Sequence, residues 1–187
     1  MKKKKEDCLI EFFSEEIPAG MQKSVEKQIG NLFKNELSIR KLSYNKVTLY
    51  STPRRFAIKI NDLDVNQEDQ SLEIKGPNIN APEIAIKGFL KAQNVPKEKV
   101  YIKETNKGNF YFIKKFEIGK SIYILLPKII DDVVKKINWS KSQRWANFEL
   151  KWGRPLRNIL VIVGSKKIKG SISLSKDESL IFNNFTF

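Results

Sequence analysis

The alternation of apolar and polar residues along the chain predicts a series of short strands. The clearest case is residues 56–60, where Phe56, Ile58 and Ile60 alternate with smaller or charged residues, as in a strand with one buried face. Residues 158–163 form a continuous apolar run, which is typical of an inner strand. The same reasoning predicts further strands at residues 8–13, 47–50, 72–75, 100–103, 109–116, 148–152 and 166–173.

Apolar residues that recur every three or four positions predict three amphipathic helices, at residues 18–37, 82–92 and 121–137. The first begins at Pro18, because proline suits the first turn of a helix. The third contains Pro127, which either kinks the helix or begins its main part. The expected inner residues of the second helix are Ile84, Ile86, Phe89 and Leu90.

Turn residues divide these elements and indicate the fold class. Residues 61–71 are polar and acidic and are expected to form a loop, and Gly76–Pro77 is expected to end the preceding strand as a turn. Asn106-Lys107-Gly108 predicts a hairpin. Because hairpins outnumber strand–helix–strand units, we expect an α+β fold, with mixed, mainly antiparallel sheets and about three helices packed on them. Residues 1–187 are interpreted as one domain or two small lobes, with a soft boundary near residues 61–71.

Charge and the rarest residue types limit the classes of function. The 187-residue chain has 35 Lys and Arg against 21 Asp and Glu, a formal net charge of +14. Such an excess favours nucleic acid or another anionic partner, but Lys is also an ordinary solvated surface residue. There is no His and only one Cys, Cys8, so the sequence excludes an internal disulfide, the common zinc sites and His-activated nucleophiles. We therefore predict no catalytic residue and no metal site. No apolar run reaches the roughly 18 residues of a membrane span, so no membrane contact is expected.

Arg54 and Arg55 follow Pro53 and come directly before a predicted strand. The planar guanidinium fork suits phosphate oxygens, so these residues are candidate phosphate ligands. Neighbouring strand residues point to opposite faces, so only one of the two is expected to reach a given ligand. The alternative is a salt bridge to Glu15 or Glu16, whose adjacent carboxylates are otherwise expected to support the start of the first helix.

A second candidate region interleaves tryptophan with basic residues between positions 139 and 157. Three interpretations stay open: a surface that stacks on bases and follows a phosphate backbone, a protein–protein hot spot, or core tryptophans with solvated charges beside them. The candidate nucleic-acid contacts over the whole chain are Arg54, Arg55, Lys75, Arg144, Arg154 and Arg157. The candidate interface residues are Trp139, Trp145 and Trp152.

Several segments, in order, resemble the amino-terminal region of the β subunit of bacterial glycyl-tRNA synthetase. They are residues 9–18 (LIEFFSEEIP), 51–60 (STPRRFAIKI), 74–77 (IKGP), 85–92, 141–145 (KSQRW) and 152–155 (WGRP). The resemblance implies a non-catalytic subunit of a heterotetrameric glycine–tRNA ligase in the cytoplasm. It also implies that the partner α subunit holds ATP and Mg²⁺ and that this chain binds no cofactor. Its expected role is to support ATP-dependent glycylation by binding tRNA(Gly) and by subunit assembly.

Two departures from the family pattern qualify this resemblance. The family's HD-like and anticodon-binding domains have no counterpart in residues 1–187. The family's Gly-His-Arg element corresponds to Phe182-Asn183-Asn184-Phe185, which puts the function of that element in doubt. The alternatives to a tRNA-binding portion of the ligase are a protein-interaction scaffold and a truncated paralogue without synthetase activity.

Overall fold

The computed structural model describes residues 4–142, 144 and 148–183, which divide into two compact units. Unit 1 comprises residues 1–67 and 120–187, and unit 2 comprises residues 68–119. All strand pairs within the described residues are antiparallel, and three α-helices accompany them, which confirms the predicted α+β class.

Unit 1 contains two long helices and seven strands in its described part. In chain order they are β1 (Lys5–Ser14), α1 (Ala19–Ile39), β2 (Lys46–Thr52), β3 (Arg55–Asp64), α3 (Ile122–Lys136), β7 (Leu156–Val163), β8 (Lys166–Lys167), β9 (Ser171–Ser173) and β10 (Ser179–Ile181). Its main sheet has the order β2-β3-β1-β7-β8, and β9 pairs with β10 separately.

The connections of unit 1 are those of a split βαβ fold. Helix α1 connects β1 to β2, and β3 lies between these two strands in the sheet. Helix α3 connects β3 to β7, after the chain has passed through unit 2, and β1 lies between those two strands. Unit 2 is thus an insertion between the fourth and fifth elements, β3 and α3, of a familiar β-α-β-β-α-β arrangement. The backbone N–H of Gln67 donates to the carbonyl oxygen of Lys120 at 3.0 Å, so the outgoing and returning segments are paired in unit 1.

The core of unit 1 lies between the helices and one face of the main sheet. Alternate residues of β1, β3 and β7 are fully buried, and α1 places a row of apolar residues at every fourth position. That row is Met21, Val25, Ile29, Phe33 and Leu37, as the predicted helical spacing requires. Pro127 lies inside α3, which continues from Ile122 to Lys136. The sheet therefore has one face covered by helices and one face without a helix on it.

Unit 2 contains a three-stranded sheet in the order β4-β6-β5 and one helix. Its elements are β4 (Gln70–Asn78), α2 (Glu83–Gln93), β5 (Val100–Thr105) and β6 (Gly108–Glu117), with a single 3₁₀ turn at Lys97–Lys99. The predicted hairpin is confirmed as β5 and β6, and Gly108 has a φ of +103°, which glycine adopts without strain.

Four predictions about local structure are wrong. Gly76 and Pro77 lie inside β4, at a bulge between Lys75 and Asn78, because a bulge accommodates proline and because the Phe89 ring leaves no room for a Cβ at position 76. Residues 61–71 are not one loop, since buried Leu63 extends β3 to Asp64 and β4 begins at Gln70.

The other two errors concern burial. Ile84 is 85% exposed rather than an inner residue of α2. Residues 148–152 form no strand: Leu150 and Trp152 are buried, but the N–H groups of Glu149 and Leu150 both donate to the carbonyl oxygen of Leu174, so the apolar pattern reflects burial and not a sheet ladder. Within the described residues, no helix is long and apolar enough to cross a membrane.

Candidate nucleic-acid interface

Three chain segments that lie far apart in sequence meet at one corner of unit 1. The N–H groups of Ser14 and Ile17 donate to the carbonyl oxygens of Arg54 and Pro53, at 2.9 and 2.6 Å. The N–H of Glu15 donates to the carbonyl oxygen of Pro155 at 3.0 Å. Proline has no N–H to donate, but its carbonyl accepts normally, so both prolines hold the segment that follows β1. The corner thus joins the end of β1, the β2–β3 turn and the entrance to β7.

Three guanidinium groups surround this junction, and we refer to Arg54, Arg55 and Arg157 as the arginine corner. The carboxylate of Glu15 accepts from Arg157 at 2.7 and 2.5 Å and lies 3.8 Å from Nη2 of Arg54. Nε of Arg55 donates to the Glu11 carboxylate at 3.2 Å. The predicted salt bridge of this arginine pair to Glu15 is therefore confirmed for Arg54.

Strand geometry predicted that Arg54 and Arg55 point to opposite faces, and this prediction is wrong. Their guanidinium carbons lie 5.0 and 4.7 Å from the centre of the same Phe13 ring. The reason is that Arg54 lies in the turn and only Arg55 belongs to β3, so strand alternation does not apply to the pair. Both guanidinium groups are therefore held by an aromatic ring and a carboxylate at once.

The side chains of the arginine corner are about half exposed. Ion pairs at such positions contribute roughly 0–1 kcal/mol, so an incoming phosphate can replace a carboxylate partner at little cost. The glutamates also hold the guanidinium groups in place. Chemically, this arrangement can bind phosphate oxygens, but it brings together no general base and nucleophile. Within the described residues, no group of His, Cys, Asp or Glu could hold a metal ion.

The other predicted basic residues lie elsewhere. Nζ of Lys75, in unit 2, lies 3.4 Å from the centre of the Phe110 ring. Arg154 donates to the neighbouring carbonyl oxygen of Gly153 at 2.9 Å, and Arg144 is exposed. No hydrogen bond or ion pair joins Arg144 or Arg154 to the arginine corner in the part of the chain that the structure describes.

The interface prediction for two tryptophans is wrong. Trp152 and Trp139 are buried, and their ring centres lie 4.9 Å apart in the core of unit 1. Trp152 also contacts Phe12 at 5.6 Å and Trp139 contacts Phe56 at 6.4 Å. Aromatic rings of this size are stabilised by burial, and here each packs on a strand of the sheet. Of the three open interpretations, the core tryptophan holds for this pair; Trp145 lies outside the described residues.

Comparison with known proteins supports the family resemblance found in the sequence. Residues 8–184 match the family model described as glycyl-tRNA synthetase beta subunit. The chain belongs to this family.

Similar proteins include glycine–tRNA ligase beta subunits of several Rickettsia species. The protein of Rickettsia canadensis is 39% identical over 181 residues, which is 97% of this chain and 26% of that protein. The protein of Rickettsia felis is 41% identical over 156 residues, 83% of this chain and 23% of that protein. The Rickettsia bellii proteins are 41% identical over 161 residues, 86% of this chain and 24% of theirs. The chain thus spans about a quarter of the length of these glycyl-tRNA synthetase beta subunits.

Residues 182–185 stand where the family pattern has Gly-His-Arg, and the structure describes the first two of them. Of these, Asn183 has a structural role. Its side-chain amide donates to the carbonyl oxygens of Val161 and Ile168 at 3.2 and 2.7 Å and accepts from the Val161 N–H at 3.0 Å. Asn183 therefore joins β7 to the segment after β8. Its φ of +57° is one that asparagine adopts more readily than most residues.

A buried ionic cluster between α1 and α3 was not predicted from the sequence. Glu36 is buried and accepts from Arg40 and from Lys136, the latter at 2.5 Å, while Arg40 also donates to Asp132 at 2.7 Å. Burial opposes ionisation of Glu36, but the hydrogen bonds from Lys136 and Arg40 outweigh it and lower its pKa. Only the (i, i+4) pair Glu36–Arg40 could have been read from the sequence.

Proposed function

We propose that this chain is a non-catalytic portion of the beta subunit of glycine–tRNA ligase and that it supports glycylation by binding tRNA(Gly) and by subunit assembly. The observation that carries the proposal is the family match over residues 8–184. In this proposal the α subunit binds ATP and Mg²⁺, and the assembly is a cytoplasmic heterotetramer.

The arginine corner is the proposed centre of tRNA contact. Three half-exposed guanidinium groups lie close together: Arg54 and Arg157 share the Glu15 carboxylate, and Arg55 pairs with Glu11 and shares the Phe13 ring with Arg54. Such an arrangement suits adjacent phosphate oxygens. Arg144, Arg154 and Lys75 are proposed as further backbone contacts on the strength of their charge. Contacts of this kind position an RNA without reading its sequence.

Charge reversal tests the tRNA-binding role. Arg54→Glu and Arg144→Glu should each weaken tRNA binding, measured by filter binding or fluorescence anisotropy at two salt concentrations. The matched control is Lys34→Glu, because Lys34 is exposed on α1, on the helix side of the sheet, and its reversal changes the net charge equally. Unchanged affinity of both Arg variants at both salt concentrations would argue against the role.

Mixed reconstitution tests the supporting role in catalysis. Glycyl-tRNA formation by the α subunit is measured with and without this chain. We expect the chain alone to form no glycyl-tRNA, and we expect its addition to raise the yield over that of the α subunit alone. No change on addition, at concentrations where tRNA is bound, would contradict the proposed contribution.

A protein-interaction scaffold is the second candidate, and the surface of unit 2 favours it. Phe116 and Ile118 are 71% and 80% exposed, and Ile84 and Ile102 are also exposed. Large apolar side chains that are exposed on one small unit can be covered by a protein partner. Co-elution with the α subunit on size-exclusion chromatography, together with no shift of labelled tRNA, would favour the scaffold over the tRNA-binding role.

A further inference from the structure

The main sheet of unit 1 carries an ordered set of side chains on the face without helices. Strand register places them in three rows that run across β2, β3, β1 and β7. The rows are Thr52, Arg55, Phe13, Asn158; Tyr50, Ala57, Glu11, Leu160; and Thr48, Lys59, Leu9, Ile162. We call these twelve residues the open face.

The open face differs sharply from the helix-covered face in burial. The intervening residues of the same strands, such as Ile10, Phe12 and Ile58, are fully buried. On the open face, by contrast, Tyr50 is 60% exposed and Leu9 is 37% exposed, and Arg55 and Lys59 are exposed as well. A large aromatic ring that is left this accessible on a regular sheet is available to contact a partner.

Flat groups suited to stacking are concentrated at one end of the open face. Tyr50 faces the small residue Ala57 across β2 and β3, so no large neighbour covers its ring from that strand. Arg55 is its diagonal neighbour, and such neighbours lie about 7–8 Å apart. The Arg55 guanidinium packs on the Phe13 ring, which gives a layered aromatic and guanidinium surface next to the tyrosine.

The charge of the chain is concentrated in the unit that carries the open face. Of the 35 Lys and Arg residues, 9 lie in unit 2 and 26 in unit 1; of the 21 Asp and Glu residues, 7 lie in unit 2 and 14 in unit 1. On the open face, Arg55 and Lys59 are the two diagonal neighbours of Tyr50 on β3, and Lys46 lies on the same face of β2. The open face therefore lies in a positively charged unit, and this charge favours an anionic partner.

We propose that the open face binds unpaired nucleotides of an RNA chain. Bases stack on Tyr50 and on the Arg55 guanidinium, while Lys46, Lys59 and the arginine corner contact phosphates. The inference rests on the proposed function for the class of partner, and it adds the surface, the mode of recognition and the single-stranded state of the nucleotides.

Sheet geometry explains why the nucleotides are unpaired. A broad sheet cannot enter the deep, narrow major groove of an A-form duplex, whereas splayed bases can lie flat on aromatic and guanidinium groups. Stacking of this kind tolerates different bases, because every base has a π face. The open face is therefore expected to discriminate single-stranded from double-stranded RNA more strongly than one base from another.

Variants at Tyr50 separate stacking from charge. The affinity of the full chain for a labelled single-stranded 12-nucleotide RNA, for its duplex and for tRNA is measured by fluorescence anisotropy. Tyr50→Ala should weaken single-strand binding by roughly 5- to 150-fold, the range expected for loss of one stacked base. Tyr50→Phe keeps the ring and should bind as the unchanged chain does. The control is Phe116→Ala, which removes a ring that is at least as accessible from unit 2 and should have no effect.

The outcomes distinguish this inference from the proposed function. If Tyr50→Ala leaves single-strand and tRNA binding unchanged while Arg54→Glu weakens tRNA binding, the open-face proposal is overturned and tRNA binding stands. If neither RNA binds the unchanged chain, both are overturned. If Tyr50→Ala instead reduces co-elution with the α subunit and leaves RNA binding intact, the open face is a protein contact and the proposal is wrong.

Discussion

Removing the buried charge of Glu36 should lower the stability of unit 1. We consider Glu36→Gln, which keeps the size of the side chain but removes its charge. In the unchanged protein the carboxylate joins α1 to α3 through Lys136, and Arg40 extends the cluster to Asp132. The substitution therefore weakens the contact between the two helices that cover the sheet.

The expected magnitude follows from what each partner retains. Removing one member of a buried ion pair typically costs about 3–5 kcal/mol, because the other charge is left uncompensated. Here Arg40 keeps Asp132, and the Lys136 side chain is about half exposed and can reach water. The cost should therefore fall just below that range, at about 2–3 kcal/mol of unfolding free energy. For a chain of this size, that corresponds to a decrease in Tm of about 4–12 °C.

Acid should abolish the difference between the two proteins. The pKa of Glu36 is lowered in the folded state, whereas a glutamate in an unfolded chain has a pKa of about 4.3. Its stabilising contribution is therefore complete above the unfolded pKa and is lost as the pH falls through the folded pKa. Urea unfolding followed by circular dichroism at pH 7, 5 and 3 measures this directly.

The control is Glu178→Gln, because Glu178 is exposed in the same unit and its substitution should leave stability unchanged. The reasoning would be refuted if Glu36→Gln were as stable as the unchanged protein at pH 7. It would also be refuted if the difference between them were the same at pH 3 as at pH 7, because the charge of Glu36 would then contribute nothing.

Two further predictions concern the core. Burial, with a smaller contribution from the Asp7 carboxylate, raises the pKa of the Cys8 thiol to about 12. Cys8 should therefore not react with a thiol reagent such as DTNB at pH 8 until urea unfolds the chain. Full modification of the folded chain would contradict its burial. Gly153→Ala should destabilise unit 1 by about 1–3 kcal/mol in urea unfolding, because the added methyl would overlap the Trp139 ring, whereas Gly20→Ala, which meets no atom within 4 Å, should be neutral or slightly stabilising.

Local patterns in the sequence were sufficient for the elements whose contacts are local or strictly periodic. The apolar residues of α1 recur at every fourth position, and the β5–β6 hairpin is closed by a two-residue loop ahead of Gly108. The strand predicted at residues 148–152 is wrong because burial of alternate residues can arise without a paired strand. The turn predicted at Gly76–Pro77 is wrong because the glycine is required by a tertiary contact with Phe89 and not by a turn.

Contacts between distant positions were beyond the sequence analysis. The split βαβ order depends on which strands pair, and the insertion of unit 2 separates β3 from α3 by 57 intervening residues, from 65 to 121. At the candidate interface, the sequence supplied the arginines and the Glu15 alternative. The shared Phe13 ring, the second guanidinium on Glu15, from Arg157, and the accessible Tyr50 emerge only when β2, β3, β1 and β7 lie side by side.

The salt dependence of tRNA binding tests the central claim most directly. The affinity of the chain for tRNA(Gly) is measured between about 50 and 300 mM salt, as in standard counterion-release experiments. Each phosphate engaged should contribute a slope of roughly −0.7 to −0.9 in log affinity against log salt, so contact through the arginine corner predicts about −2 or steeper for three phosphates. Arg54→Glu should make the slope shallower by about one phosphate equivalent. An affinity that does not change with salt, or no tRNA binding at the lowest salt concentration, would contradict the account.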